Sequence, residues 1–299
     1  MPSPSVSSES GSLSRSAWGG IGAVGGAVLL AAAAGLWKLL AISSVAFVAM
    51  AGGAWLGAHP VGSNSGTADQ ARGLAWGYGL ASGAMIASTG AFLIPSAVGH
   101  SATIGGFGIA AGVLLGFVMH VAQHQLAHLP LPGDVSTLEL TAHSLAAGLV
   151  IGAVYATMPA LDLALGLAIV SHKAPAGYAA AHRLVRSGRD PSVLLVPAAA
   201  VAVAAVPVGL LSPPSTPGTH ALVFGIATGI LLHVAFDFLP QCELGGEIAE
   251  AAGLTRDGKA PDGHFDEQHH LLDHLRLHAV SSAVLGGGLV FVAWWMTHL

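Results

Sequence analysis

The sequence predicts an all-α polytopic membrane protein, and three observations support this class. Hydrophobic residues make up 53% of the 299 positions, charged residues only 8%, and the mean hydropathy is +0.70. Such a composition lies outside the range of soluble globular domains. Apolar runs recur along the chain, and a helix of about 20 apolar residues crosses the roughly 30 Å hydrocarbon layer of a bilayer. The 41 glycines suit helices that pack closely within a membrane.

Nine apolar segments are predicted to span the membrane as helices. They cover residues 17–37, 39–58, 74–98, 102–123, 138–158, 160–182, 192–211, 220–240 and 279–298. The first is an extra helix before an eight-helix domain at 38–299. A signal peptide is its alternative, but the run is long for one and leads directly into a second apolar run. The Ser/Pro-rich residues 1–16 are expected to form a disordered tail, and residues 241–278 a polar loop.

The basic residues predict an orientation. A cytoplasmic N-terminus would place eight of the ten Lys and Arg residues in cytoplasmic regions, in line with the positive-inside rule. These eight are Arg15, Arg72, Arg183, Arg186, Arg189, Arg256, Lys259 and Arg276. Lys38 would lie on the other side and Lys173 inside the membrane. We therefore expect a multi-pass protein of the cell membrane with an extracytoplasmic C-terminus.

Two histidines interrupt consecutive apolar segments in matched settings. His143 and His172 each begin an H-x-x-x-A-G pattern, and Lys173 follows the second histidine. Polar side chains at membrane depth are costly unless they face a partner or a water-lined cavity, so they indicate a functional site. Histidine is also a common ligand of borderline transition metals. The pair therefore predicts a metal site in the membrane.

These motifs resemble those of the ZIP (Zrt/Irt-like) family of divalent-metal transporters. In that family the fourth core helix carries H-N-x-x-E-G and the fifth H-N/E-x-P-E/H-G/E. Residues 143–148 match the first by their His and Gly, and residues 172–177 match the second by their His, Pro and Gly. Residues 229–240 resemble the seventh core helix, which ends in an acidic-x-x-Pro pattern, and residues 91–97 resemble the end of the second, with Phe where a histidine is common. The resemblance covers about residues 39–299.

The resemblance implies a passive or gradient-driven permease for zinc or a similar divalent metal, working by alternating access around a midplane site. His143 and His172 would be the core ligands, Asp237 the anionic partner, and His233 and the Ser144 hydroxyl supplementary ligands. The family's Asn and Glu ligand positions hold Ser144, Ala147, Lys173 and Ala176 here. A dication in low dielectric needs anionic ligands, so the two-metal form of the family site is not expected.

Lys173 and Pro175 shape this expected site. Lys173 could replace a second metal as a fixed cation that modulates the local charge, paired with Asp237. It could also be a neutral amine ligand, since burial disfavours the charged form, or mark a chain that has lost metal transport, or snorkel to the interface. Pro175 is expected to kink the helix and free a carbonyl near residue 171, although such a kink can also serve packing alone.

Further histidines predict outer metal sites. His120, His124 and His128 lie at i, i+4 and i+8, which places them on one helix face at the cytoplasmic end. Glu139 precedes His143 by one turn and is an expected entry or exit ligand. The polar loop holds a further set that could capture metal: His264, His269, His270, His274 and His278. Plain solvation of a helix end is the alternative for the first set, and a solvated amphipathic helix is the alternative for the second.

The remaining features exclude several classes. The single Cys242 excludes an intramolecular disulfide framework and a thiolate cluster, and the net charge of −5 offers no basic footprint for nucleic acid. The sequence has no nucleotide-binding glycine motif and no H-E-x-x-H, so we expect no enzyme and no prosthetic cofactor. The expected partners are the lipid bilayer and a divalent metal ion, with a homodimer as the candidate assembly. A sensor or scaffold, or a metal-dependent intramembrane hydrolase built on His143, His172 and Asp237, is the alternative.

Overall fold

The computed structural model describes residues 14–59, 67–127, 135–161, 163–211, 214, 216–239, 248, 252 and 265–297. Within these ranges the chain is helical and holds no β-strand. The helices are α1 Arg15–Ala33, α2 Trp37–Ala58, α3 Thr67–Ser88, α4 Ile94–His100, α5 Ala102–Ala127, α6 Val135–Thr157, α7 Leu163–Val170, α8 Lys173–Arg186, α9 Leu195–Gly209, α10 Pro217–Asp237 and α11 Phe265–Thr297. A π-helical turn, Thr89–Leu93, joins α3 to α4.

Eight of these stretches are long and apolar enough to cross a membrane. Large apolar side chains on α5 and α11, such as Phe107, Val284 and Met296, are more than 70% exposed. Such surfaces are unfavourable in water and suit lipid. The protein is therefore an all-α polytopic membrane protein, as predicted.

The predicted helix at 160–182 is broken into α7 and α8 by a turn at residues 171–172. Pro175 explains the break, because its ring would clash with the carbonyl of residue 171 in a continuous helix. Pro175 instead occupies the first turn of α8, where a missing N–H leaves no intrahelical bond unmade. The first bond of the new helix runs from the Ala176 amide to the His172 carbonyl over 3.0 Å.

The broken segment still crosses the bundle. Helices α6 and α9 run parallel, since Gly148 lies against Val201 and Gly152 against Ala205. The chain must therefore return between these two helices, and α7 with α8 makes that return. With the eight continuous stretches, the described residues make nine crossings.

Glycines set the closest helix contacts. A β-carbon on Gly53 or Gly57 of α2 would collide with the backbone of α8, and one on Gly177 of α8 with the backbone of α2. The same holds for Gly148, which faces the backbone of α9. Gly148 and Gly177 are the last residues of the two H-x-x-x-A-G patterns. These glycines thus bring the motif-bearing helices tightly against their neighbours.

Several element boundaries differ from the predicted ones, among them the start of α3 at Thr67 instead of residue 74. Helix α11 begins at Phe265, so part of the expected loop 241–278 is helical. Helix α1 begins at Arg15, within the expected tail 1–16, and its Ser14 cap accepts a hydrogen bond from the Ala17 amide. The remainder of that tail lies outside the described residues. The first turns of α11 are rich in polar residues, so no apolar run indicated a membrane helix there and the segment was predicted as a loop.

One end of the bundle collects the basic residues. Arg15 and Arg72 lie near the starts of α1 and α3, Arg183 and Arg186 at the end of α8, and Arg276 in the first half of α11. Contacts join these regions: Ser14 with Ser192, Trp76 with His278, and Arg183 with Tyr78. Helices α5 and α10 end on the same side, since His120 and Asp237 near their ends line one cavity with Arg183. We call this side of the bundle the arginine-rich end.

Candidate metal site in the transmembrane cavity

The break between α7 and α8 positions the central polar residues. His172 immediately precedes α8 and Lys173 is its first residue, so both lie at a helix start inside the bundle. Both are fully buried, with no exposed surface. His143 and Ser144 face them from α6, the neighbouring crossing.

His143 and His172 form a close imidazole pair. Their Nε2 atoms are 3.2 Å apart, and the ring centroids are separated by 5.4 Å. Without a metal, one Nε2–H donates to the other nitrogen. Two nitrogens held 2.0–2.1 Å from a tetrahedral Zn²⁺ would also lie about 3.3 Å apart. The spacing of the two nitrogens is thus compatible with a shared metal ion.

The second nitrogen of His172, Nδ1, is also buried. It has no hydrogen-bond partner among the described residues. Metal-bound histidines commonly use this nitrogen to donate to a carbonyl, which orients the ring. In the described residues His172 makes no such orienting bond.

Lys173 lies beside the pair, and its amine adds positive charge there only when it is protonated. Its Nζ donates a hydrogen bond to Ser144 Oγ over 3.1 Å, and both side chains are buried. Ser144 therefore serves as the acceptor for Lys173. In the described residues Lys173 forms no ion pair with Asp237, whose carboxylate contacts two histidines instead.

These two histidines and Asp237 form a second group of ligand types. Asp237 Oδ2 lies 3.4 Å from His120 Nδ1 and 3.2 Å from His233 Nε2. One ligand atom of each residue lies within 4.8 Å of the others, a separation that one metal ion could bridge. The His233–Asp237 contact lies outside hydrogen-bond geometry, since His233 Nε2 has no hydrogen-bond partner in the described chain. We call these three residues the mouth cluster.

Close packing of α5 on α10 assembles the mouth cluster. The helices run parallel, with Gly108 beside Gly225 and Gly112 beside Gly229. One turn further, a β-carbon on Gly116 would lie 2.7 Å from the His233 ring. The glycine makes room for that ring, and the next turn brings His120 beside Asp237.

One cavity of about 390 Å³ joins the two groups. Its lining includes both histidines of the central pair and all three residues of the mouth cluster. The mouth cluster is partly solvent-accessible, with His120 46% and Asp237 41% exposed, whereas His172 is fully buried. The cavity therefore runs from the arginine-rich end inward to the central pair.

The cavity stops at an apolar layer. Ile169, Ala227 and Leu231 line its inner part and belong to a cluster with Leu93 and Phe224. Both of these last residues are fully buried, and neither lines the cavity. The layer separates the cavity from the other end of the bundle.

Three aromatic or charged lining residues were not anticipated from the sequence. Phe238 packs against the central pair, with its ring centroid 6.0 Å from His143 and 6.3 Å from His172. Tyr78 packs edge-on against Phe238, and Arg183 Nη2 approaches Tyr78 Oη at 3.5 Å. None of them carries a motif, and only their shared position on the cavity identifies them.

The other predicted ligands lie away from the cavity or outside the described residues. His128 and His264 lie outside the described residues, as do the side chains of His124, Glu139 and His269. His270 and His274 are exposed on α11. His278 Nδ1 accepts a hydrogen bond from Trp76 Nε1 over 3.2 Å, so this nitrogen is already used.

The donor set suits a borderline transition metal. Four imidazoles and one carboxylate are typical ligands for Zn²⁺ and similar ions, while Mg²⁺ and Ca²⁺ prefer all-oxygen sites. A protonated Lys173 would oppose a dication at the central pair, and the Asp237 carboxylate would favour one at the mouth.

Comparison with protein-family models and with curated proteins finds no match for this chain. Function is therefore inferred from the residues of the cavity.

Proposed function

We propose that this protein is a permease for zinc or a similar divalent transition metal, of the ZIP type and of the cell membrane. The observation that carries the proposal is one cavity lined by two separate sets of metal-ligand types, the buried His143–His172 pair and the exposed mouth cluster. A permeating ion needs successive sites that bind it weakly enough to release it.

The charges of the two ligand sets favour passage of a metal ion through the protein over its permanent binding. The central pair supplies only two neutral nitrogens, half of a tetrahedral shell, and Lys173 lies next to it. The mouth cluster adds a carboxylate, so a dication is better stabilised there. An ion would gain electrostatic stabilisation as it moves from the centre to the mouth, which favours exit at the arginine-rich end.

The closed and open ends of the cavity match one state of an alternating-access cycle. Access is open past the mouth cluster and blocked by the layer around Phe224. By the positive-inside rule the arginine-rich end is cytoplasmic, which makes this state inward-open and the C-terminus extracytoplasmic. Rigid-body movement of helix groups would then open the other side. The tight α5–α10 and α2–α8 contacts define natural groups for such movement.

A metal-dependent intramembrane hydrolase is the second candidate, and one observation favours it. The mouth cluster has three protein ligands and partial exposure, the arrangement of a catalytic zinc that keeps a position for water. The apolar cavity behind it could accept an acyl chain. Two ligand sets along one path, however, exceed what a single hydrolytic metal requires.

Uptake by proteoliposomes tests the proposal. Purified protein would be assayed with Zn²⁺, Fe²⁺, Mn²⁺ and Co²⁺, using wild type, His172→Ala and His59→Ala. His59 is an exposed histidine at a helix end that bonds to Trp55, and it serves as the matched control. We expect flux of at least one metal in wild type and His59→Ala, and its loss in His172→Ala. Absence of flux for all four metals would overturn the proposal, and release of products from lipid amides would favour the hydrolase.

A further inference from the structure

A second histidine pair lies at the opposite end of α10. His100 is the last residue of α4, and His220 lies in the first turn of α10. Their ring centroids are 5.0 Å apart with perpendicular planes, and both side chains are half-buried. Neither residue belongs to the cavity or to the motifs of the sequence.

The hydrogen bond of His100 defines which nitrogen is free. His100 Nδ1 lies 2.7 Å from the Ser96 carbonyl, and since a carbonyl only accepts, Nδ1 carries the proton. Nε2 is then the nitrogen with a free lone pair. An Nδ1–H bond to a backbone carbonyl is the usual support of a metal-bound histidine.

The ring spacing is compatible with a shared ion, as it is with an edge-to-face ring contact. Two imidazoles bound to one tetrahedral Zn²⁺ place their centroids about 5 Å apart, given Zn–N distances of 2.0–2.1 Å. The pair at His100 and His220 has this spacing, close to the 5.4 Å of His143 and His172. Phe224 stacks on His100 with planes at 14° and holds the ring in place.

The position along α10 relates this pair to the cavity. His220 and Asp237 are 17 residues apart, or about 25 Å at 1.5 Å per residue, nearly the thickness of the hydrocarbon layer. Between them lies the apolar layer, and Phe224 contacts His100 from within that layer. The pair therefore lies just outside the closed side of the cavity.

We infer that His100 and His220 form a divalent transition-metal site at the end of the bundle opposite the mouth cluster. Two imidazole ligands, completed by water, select Zn²⁺, Ni²⁺ or Cu²⁺ over Mg²⁺ and Ca²⁺. Its role as the outer loading position for the cavity rests on the proposed function, whereas metal binding by the pair does not.

Equilibrium dialysis of the full-length protein against Zn²⁺ tests the inference. The variants are His220→Ala, His100→Phe, His172→Ala and the control His59→Ala. His100→Phe keeps an aromatic ring on Phe224 and removes the ligand, so its loss of binding would not reflect lost packing. We expect His220→Ala and His100→Phe each to lose one Zn²⁺ per chain, and the double variant His172→Ala/His220→Ala to lose two.

Unchanged stoichiometry in both His220→Ala and His100→Phe would overturn the inference. The two proposals fail separately. Zinc binding lost in His220→Ala, in a protein without flux of any metal, would leave this site standing and overturn the permease. Flux with unchanged zinc stoichiometry in His220→Ala and His100→Phe would do the reverse.

Discussion

Lys173 donates a buried hydrogen bond to Ser144. Lys173 directly follows His172 and Ser144 directly follows His143, so this bond runs alongside the contact between the two histidines. A lysine so placed, when protonated, adds positive charge where the proposed dication would bind. In the proposed site two neighbours in sequence would thus have opposed effects, with His172 as a ligand and Lys173 as a repelling cation.

Changing this charge should change metal affinity. Lys173→Glu replaces a cation by an anion, and Coulomb energies at an effective dielectric near 20 amount to a few kcal/mol for such a change. We expect Zn²⁺ to bind at least about tenfold more tightly. Lys173→Ala should give a smaller gain and altered selectivity, measured by titration calorimetry in detergent. Unchanged affinity in both variants would show that Lys173 does not act on the site.

Asp237 should matter only at the mouth. Asp237→Asn keeps the shape but removes the negative charge that faces His120 and His233, so one Zn²⁺ of the mouth cluster should be lost while central binding persists. Asp69→Asn is the control, since Asp69 is an exposed carboxylate in an ion pair with Arg72 at 2.8 Å. Equal zinc stoichiometry in Asp237→Asn and wild type would contradict a metal-binding mouth cluster.

Gly116 should be required for the position of His233. Gly116→Ala places a β-carbon against the His233 ring and should displace it from Asp237, which lowers Zn²⁺ affinity at the mouth. Gly106→Ala lies on the same helix and meets open space, so it should bind as wild type does. Matching zinc affinity in the two variants would indicate that His233 is not held by this contact.

Gly53 should be required for the α2–α8 contact. A β-carbon there would collide with the Ala174 carbonyl, whereas the neighbouring Gly52 faces open space. Overpacking typically costs about 1–3 kcal/mol, so Gly53→Ala should lower the melting temperature in detergent and Gly52→Ala should not. Because Ala174 follows Lys173, the Gly53→Ala shift should also weaken central zinc binding. Equal melting temperatures would contradict the close approach of these helices.

The sequence carries most of the information on the fold, because lipid imposes long apolar helices that composition reveals directly. The break before Lys173 was only partly predictable. Pro175 indicated a kink near residue 171, but a full interruption depends on neighbours that hold both half-helices. The early start of α11 was missed because its first turns are polar.

The residues of the candidate site were easier to predict from the sequence than their grouping in space. His143 and His172 share a pattern on consecutive segments, which suggested their proximity. The grouping of His120 with His233 and Asp237 depends on the packing of α5 on α10 through Gly108, Gly112 and Gly116, a relation between distant parts of the chain. The spacing of His120, His124 and His128 predicted a group on one helix, whereas His120 lies with residues of a second helix.

Anomalous diffraction from crystals soaked in Zn²⁺ tests the central claim most directly. We predict a peak at the zinc edge between His143 Nε2 and His172 Nε2, and a second at the mouth cluster. His172→Ala should remove the first peak and retain the second. Saturated crystals with zinc on exposed histidines such as His270 and His274 but none in the cavity would contradict the proposal.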